Sequence, residues 1–146
     1  MDQQLCLVTL GVRDLKVSRD FYVSWLQRDP TLDVEEVVFI QVGHGLLLGL
    51  FPAADLADDS STKLQSPQAE AASPMSLAQT ASSRAEVDRI LARAAAAGAR
   101  IVKPAQEAPA FNGYHGYFAD PDNFLWEIAH NPGLRFGPDG RASFGA

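Results

Sequence analysis

The spacing of hydrophobic positions changes along the chain from strand-like to helix-like and back, and it does so twice. Residues 5–12 are apolar and β-leaning, which predicts a first strand. Asp14 is then placed to cap a helix over residues 15–26, where apolar side chains recur every three or four positions. Residues 34–40 and 46–51 predict strands on either side of a Gly-His-Gly turn.

The second half repeats this order. Residues 75–81 predict a strand, Ser82 and Ser83 can cap the helix that follows, and Gly98 is placed to end it in a left-handed conformation. The apolar stripe of this helix consists of Val87, Ile90, Leu91, Ala94 and Ala95.

A hairpin with one unusual carboxylate closes the second half. Residues 101–102 predict a short strand that ends at Pro104, and residues 105–112 predict a loop. An Asp-Pro-Asp-Asn turn then joins two apolar arms over residues 117–128. Carboxylates are rare in apolar strands unless something pairs with them, so Glu127 marks the first place to look for chemistry.

The two halves match as sequences, because Val12 aligns with Ala81 and Asp14 with Ser83. The predicted fold class is α+β, with two βαβββ modules forming a curved mixed β-sheet trough and helices outside. The expected organisation is a single domain over residues 1–146, with modules at 5–51 and 74–130, a linker at 52–73 and a C-terminal tail at 131–146.

Strand alternation predicts which side chains line the trough. In the first strand Leu7 should point away from the helix, and the repeat places Ser76 at the matching position. Aligning the hairpins pairs Leu48 with Glu127. Four positions are therefore expected to converge, namely Leu7, Leu48, Ser76 and Glu127, and a pocket there is the default site.

Charge and cysteine content narrow the function classes. The net charge is −6 and basic residues are scattered, which argues against a nucleic-acid or membrane partner. Cys6 is the only cysteine, so no intrachain disulfide forms, and strand alternation predicts that it is buried. The chain shows neither a signal-peptide pattern nor an apolar run of membrane-spanning length, and we expect a cytoplasmic protein.

Two segments resemble a known superfamily. Leu10–Tyr22, with its strand–Asp–helix–Phe-Tyr opening, and Gly116–Glu127, with its Asp-Pro-Asp hairpin, are similar to the vicinal oxygen chelate superfamily. That group includes glyoxalase I, extradiol dioxygenases, fosfomycin-resistance proteins and bleomycin-resistance proteins. The resemblance covers roughly residues 5–130 and implies a glyoxalase-like fold, a small-molecule ligand and a homodimer.

The resemblance also implies metal ligands at the four converging positions, commonly His, Gln or Glu. Here Glu127 matches, whereas Leu7, Leu48 and Ser76 do not. A divalent metal needs several N or O donors in a defined geometry, so no metal and no cofactor are expected. The bleomycin-binding branch of the superfamily likewise lacks a metal and binds its drug in a trough between subunits.

Each candidate site residue has a functional and a structural interpretation. In the structural interpretation, Glu127 has no function and its hydrogen bonds are made by Ser76, a backbone amide or water. In the functional one, it is a desolvated carboxylate that accepts a proton or binds a cationic ligand. His115, in a Gly-flanked aromatic segment read as a loop, is either a general base or an exposed loop histidine. Phe111, Tyr114 and Tyr117 form either an aromatic wall for a planar ligand or part of the core.

The first functional interpretation is metal-independent binding of a small molecule, such as an aromatic compound, in an apolar trough. The alternative is a glyoxalase-type lyase or isomerase that uses Glu127 and His115, with or without a recruited metal. A third class is an interaction module whose trough is filled by its own linker or by a partner chain.

Overall fold

The computed structural model describes residues 4–63 and 73–145, which fall in two compact units, Met1–Ala71 and Ala72–Ala146. Each unit contains one four-stranded mixed sheet. The α+β fold class predicted from the sequence is confirmed. Residues 64–72, most of the second half of the predicted linker, lie outside the described residues.

The first unit follows the order strand, helix, three strands, and then a short helix. Its elements are β1 (Leu7–Val12), α1 (Leu15–Leu26), β2 (Leu32–Asp33), β3 (Val38–Gly43), β4 (Leu46–Pro52) and α2 (Ala53–Asp59). The strand order is β1-β4-β3-β2, with β1 parallel to β4 and the other pairs antiparallel. The predicted linker therefore begins with a helix.

The second unit has the same topology. Its elements are β5 (Ser76–Thr80), α3 (Arg84–Ala97), β6 (Arg100–Ala108), a 3₁₀ turn (Pro109–Phe111), β7 (Gly113–Ala119), β8 (Leu125–His130), β9 (Leu134–Phe136) and β10 (Ala142–Phe144). The strand order β5-β8-β7-β6 repeats the order of the first sheet. Its parallel pair is β5 with β8, which corresponds to β1 with β4. The predicted repeat is confirmed, and β9 and β10 add a hairpin in the tail.

Local sequence signals set the helix ends. The Asp14 carboxylate accepts a hydrogen bond from the Val17 amide at 3.1 Å, and the Ser83 hydroxyl accepts one from the Glu86 amide at 3.1 Å. Glu86 in turn accepts a hydrogen bond from the Ser82 hydroxyl at 2.6 Å. Gly98 ends α3 with φ of 114°, a left-handed conformation in which a side chain would be strained.

The register of the first sheet corrects the predicted position of Leu48. Leu7 pairs with Leu47, and Val8 pairs with Leu48, so Leu48 shares a face with Val8 and is buried in the core. In the second sheet Ala78 pairs with Glu127, and its counterpart Thr9 pairs with Gly49. The hairpin alignment was one residue out of register, and a one-residue slip moves a side chain to the opposite face.

The prediction that β6 ends at Pro104 is wrong. The strand continues to Ala108, with register shifts on both sides of Lys103. It lies at the edge of its sheet, where a proline's missing N–H removes no required ladder bond and bulges are tolerated. The predicted loop at 105–112 is therefore partly strand, and His115 lies in β7 instead of a loop.

The prediction for Cys6 is also wrong, because this residue precedes β1 and is exposed. The strand begins one position later, so the alternation used for the prediction does not reach it. No helix among the described residues is long and apolar enough to cross a membrane.

Candidate functional site

One face of the second sheet carries the cluster from which we build the site. Gly116 lies on the face of β7 that packs against α3, since a side chain at this position would lie 2.6 Å from Leu91 Cδ1. Alternation turns His115 and Tyr117 to the other face, and the pairing of Tyr117 with Glu127 puts that carboxylate beside them. We call this side, which faces away from α3, the open face of the second sheet.

Glu127 and His115 form the central contact of the open face. His115 Nδ1 lies 2.7 Å from Glu127 Oε1, and the two side chains are 13% and 20% exposed respectively. Tyr117 is also hydrogen-bonded to Glu127, and partial burial together with the negative charge of Glu127 raises the pKa of its phenol. The carboxylate is therefore held between an imidazole and a phenol.

Lys103 contacts the other nitrogen of the same imidazole. Its Nζ lies 3.2 Å from His115 Nε2. An ammonium group donates hydrogen bonds and accepts none, so Nε2 accepts from Lys103 and Nδ1–H donates to Glu127. The three side chains therefore assign one tautomer of His115, and they form a chain from cation through imidazole to carboxylate.

The aromatic residues divide between the two faces of the sheet. The rings of Phe111 and Tyr117 lie edge-on to the His115 ring, with centroids 5.3 and 5.5 Å away. Tyr114 is on the other face, where its hydroxyl donates to Asp88 at 2.9 Å and Arg84 lies over its ring. The predicted three-residue aromatic wall is wrong for Tyr114, because it is separated from Tyr117 by an odd number of strand positions.

Ser76 lies on the same face as Glu127 but is two residues along β5 from the position that pairs with it. It pairs with Leu125, and Ala78 is the residue beside Glu127. Ser76 is exposed.

The first sheet has an apolar cavity on the face opposite its core. The cavity volume is about 290 Å³. Its lining residues are Leu7, Thr9, Val37, Phe39, Phe51, Leu56 and Asp59. Leu7 lines the cavity as the alternation of β1 predicts. Leu56 comes from α2, the helix at the start of the predicted linker.

Comparison with known sequences identifies the family. Residues 4–128 match the sequence profile of the Glyoxalase/Bleomycin resistance protein/Dioxygenase superfamily. The chain belongs to this superfamily. A glyoxalase-related enzyme from Fulvimarina pelagi is 34% identical, with 99% of each chain covered and a TM-score of 0.86. None of the curated proteins is significantly similar to the chain.

Other superfamily structures share the fold at lower identity. A lactoylglutathione lyase from Agrobacterium tumefaciens is 20% identical over 89% of this chain and 95% of its own, with a TM-score of 0.66. A mutant fosfomycin-resistance protein from Listeria monocytogenes, in complex with Mn(II) and 1S,2S-dihydroxypropylphosphonic acid, is 21% identical over 90% and 92%, also with a TM-score of 0.66. At these identities the likeness concerns the fold alone.

The residues at the superfamily's metal-ligand positions do not fit a divalent metal. With the corrected register these positions hold Leu7, Gly49, Ser76 and Glu127. One strong oxygen donor remains, and it is already bound to His115 and Tyr117. In residues 4–63 and 73–145, no three His, Cys, Asp or Glu side chains are grouped as a metal site.

Lys103 is the residue of the cluster that the sequence analysis missed. Because the strand was predicted to stop at Pro104, the sequence did not indicate which face of the sheet Lys103 occupies. Register shifts on both sides of Lys103 direct it toward His115, and Pro104 is their one local sequence signature. A lysine within a run of Ile, Val and Pro is the signal that was available.

Proposed function

We propose that this superfamily member binds a small, largely apolar molecule without a divalent metal. The observation that carries the proposal is the cavity of the first sheet, at about 290 Å³. An apolar cavity of about 150 Å³ holds benzene, so this volume suits a molecule of one or two rings. The metal independence is supported by the donor set, in which Glu127 is the one strong ligand.

The floor of the cavity depends on Gly49. A Cβ at this position would lie 3.1 Å from Leu7 Cδ1, 3.1 Å from Phe39 Cε1 and 3.2 Å from Thr9 Oγ1. All three residues line the cavity. Adding one methyl group at Gly49 would therefore push their side chains into the space that the ligand occupies.

Fragment binding tests this proposal. We would screen one- and two-ring aromatic fragments by thermal shift on chelator-treated protein, and measure the best by calorimetry. Gly49→Ala should weaken binding by about tenfold or more, as crowding a pocket by one methyl group does. The control is Gly43→Ala in the adjacent strand, where a Cβ makes an ordinary 3.5 Å contact with Leu46. Equal loss in both variants, or in neither, would contradict the proposed cavity.

The second candidate function is proton transfer by His115, and the 2.7 Å contact with Glu127 favours it. A carboxylate at Nδ1 fixes the tautomer that leaves Nε2 as a base, once a substrate takes the place of Lys103 there. We would follow deuterium uptake by hydroxyacetone in D₂O by NMR. Enzyme-dependent exchange that falls about 100-fold in His115→Gln would support this function, and exchange unaffected by the substitution would exclude this role for the histidine.

We also propose a cytoplasmic homodimer. The superfamily resemblance supports the dimer, and so does the hairpin formed by β9 and β10. Its pairing places Leu134, Phe136, Ala142 and Phe144 on one face. Phe136 is 59% exposed and Phe144 is 80% exposed, more than large aromatic side chains usually are in a monomer.

A further inference from the structure

The hydrogen-bonding groups on the open face of the second sheet are unevenly used. Glu127 accepts from both His115 and Tyr117. Both ring nitrogens of His115 are engaged. The ammonium group of Lys103 has three N–H donors, and its contact with His115 Nε2 uses one of them. The Lys103 ammonium group is therefore the positively charged donor that the open face can offer to a ligand.

Lys103 also differs from the cations that form ion pairs in this protein. Arg19 pairs with Asp33 at 2.6 Å, and Arg84 pairs with Glu107. Among the described residues, no carboxylate lies within ion-pairing distance of Lys103. Lys103 is only partly exposed. Glu127 lies on the same face, but the His115 ring stands between its carboxylate and the Lys103 ammonium group.

We propose that the open face binds a small organic carboxylate, with the ligand oxygen accepting hydrogen bonds from Lys103 Nζ beside His115. The ammonium group supplies the charge and two further donors. The edge-on rings of Phe111 and Tyr117 provide apolar surface for the body of the ligand. A cationic ligand is disfavoured beside His115, because the Lys103 ammonium group repels it.

This site adds a small organic carboxylate to the apolar ligands of the proposed function. The inference rests on the proposed function only in that both require a small ligand. Every residue in it belongs to the second unit, whereas the cavity residues belong to the first. Substitutions at Lys103 and at Gly49 therefore test the two separately.

The experiment uses three probes with the same ring and different head groups: benzoate, benzamide and benzylamine. Each is titrated into the full chain and its dissociation constant is measured by NMR. Benzoate should bind at least about tenfold more tightly than the other two, as a charge-assisted hydrogen bond predicts. The His115 Nε2 resonance should shift during the benzoate titration, because the ligand binds beside it.

Variants then assign the selectivity. Lys103→Met should remove the preference for benzoate, and Lys103→Arg should retain most of it because the positive charge remains. Lys16→Met is the matched control, since Lys16 is an exposed lysine on α1. Circular dichroism of Lys103→Met checks that the variant folds, and Lys103→Gln provides a second neutral variant with a polar side chain.

The inference is overturned if benzamide or benzylamine shifts the His115 Nε2 resonance at concentrations as low as benzoate does, if Lys103→Met leaves the preference for benzoate at that resonance intact, or if none of the three probes shifts it. Neutral aromatic fragments that still bind in a Gly49-dependent way would then leave the proposed function standing. Conversely, Lys103-dependent benzoate binding together with Gly49-independent fragment binding would remove the cavity and retain the carboxylate site.

Discussion

The contact between Glu127 and His115 should be energetically coupled, and a double-mutant cycle measures the coupling. The cycle compares the parent protein with Glu127→Leu, His115→Leu and the double variant. Tyr117 loses its partner in both forms that lack Glu127, and Lys103 loses its partner in both forms that lack His115. Those two costs cancel in the cycle, so the remaining free energy reports on the contact between the two side chains.

The expected size follows from burial. A hydrogen bond to a charged group contributes about 1.5–3 kcal/mol when it is well shielded from water. The two side chains are 13% and 20% exposed, so partial solvation lowers the expected coupling to about 1–2 kcal/mol. The Lys16–Asp20 pair on α1 is a control, because its N–O distance is 2.6 Å but its side chains are 82% and 48% exposed. Its coupling should be smaller.

Urea denaturation provides the assay. Each unit contains one tryptophan, Trp25 in the first and Trp126 in the second, and both are buried. A Trp25→Phe background leaves Trp126 to report the unfolding of the unit that contains the cluster. Coupling no larger than that of the Lys16–Asp20 control would refute the claim that Glu127 fixes the tautomer of His115.

Three further outcomes are expected. Ser83→Ala removes the N-cap of α3 and should lower the free energy of unfolding by about 1 kcal/mol in urea denaturation, while Ser83→Thr should retain most of it. The pKa of Tyr117 is raised in the folded state, so the stability it contributes is complete below about pH 10 and is lost as the pH rises above that value. Tyr117→Phe should flatten this decline in denaturation between pH 9 and 11 (roughly the range around the tyrosine pKa), and an unchanged slope would contradict the pKa shift. Replacing Phe136 and Phe144 together by Ser should convert a dimer to a monomer in light scattering; a dimer that persists would place the interface elsewhere.

Signals that act within a few residues predicted the fold well. The Asp14 and Ser83 caps and the Gly98 helix end are set by neighbouring backbone groups, and each is found where the sequence placed it. The hairpin turn is equally local, because the buried Asp120 carboxylate accepts from the amides of Asp122 and Phe124 at 2.8 and 2.9 Å. Such interactions depend on residue type and spacing, both of which a sequence displays.

Strand register and bulges were harder to predict. Leu47, Leu48 and Gly49 lie in an apolar run, and hydrophobic pattern alone does not specify which of them pairs with Leu7 or Thr9. The face occupied by Lys103 depends on register shifts on both sides of it, which are set by pairing with β7. The positions of Leu48 and Lys103 therefore depend on pairing between strands, which the local sequence does not display.

The pairing of His115 with Glu127 lies between these extremes. Both residues were candidates from the sequence, but for separate reasons, because His115 was assigned to a loop and Glu127 to a strand. Their contact depends on β7 beginning at Gly113. His115 then pairs with Ala129, two residues along β8 from Glu127 and on the same face.

The most direct test of metal-independent binding is the affinity of an aromatic fragment for chelator-treated protein and for protein loaded in turn with Mn²⁺, Ni²⁺, Zn²⁺ and Fe²⁺, with the bound metal measured by elemental analysis. We expect the same dissociation constant in every sample and no stoichiometric retention of metal, because Leu7, Gly49 and Ser76 supply no strong donor beside Glu127. Fragment binding that requires a metal, or stoichiometric metal that is lost in Glu127→Ala, would contradict the proposed function.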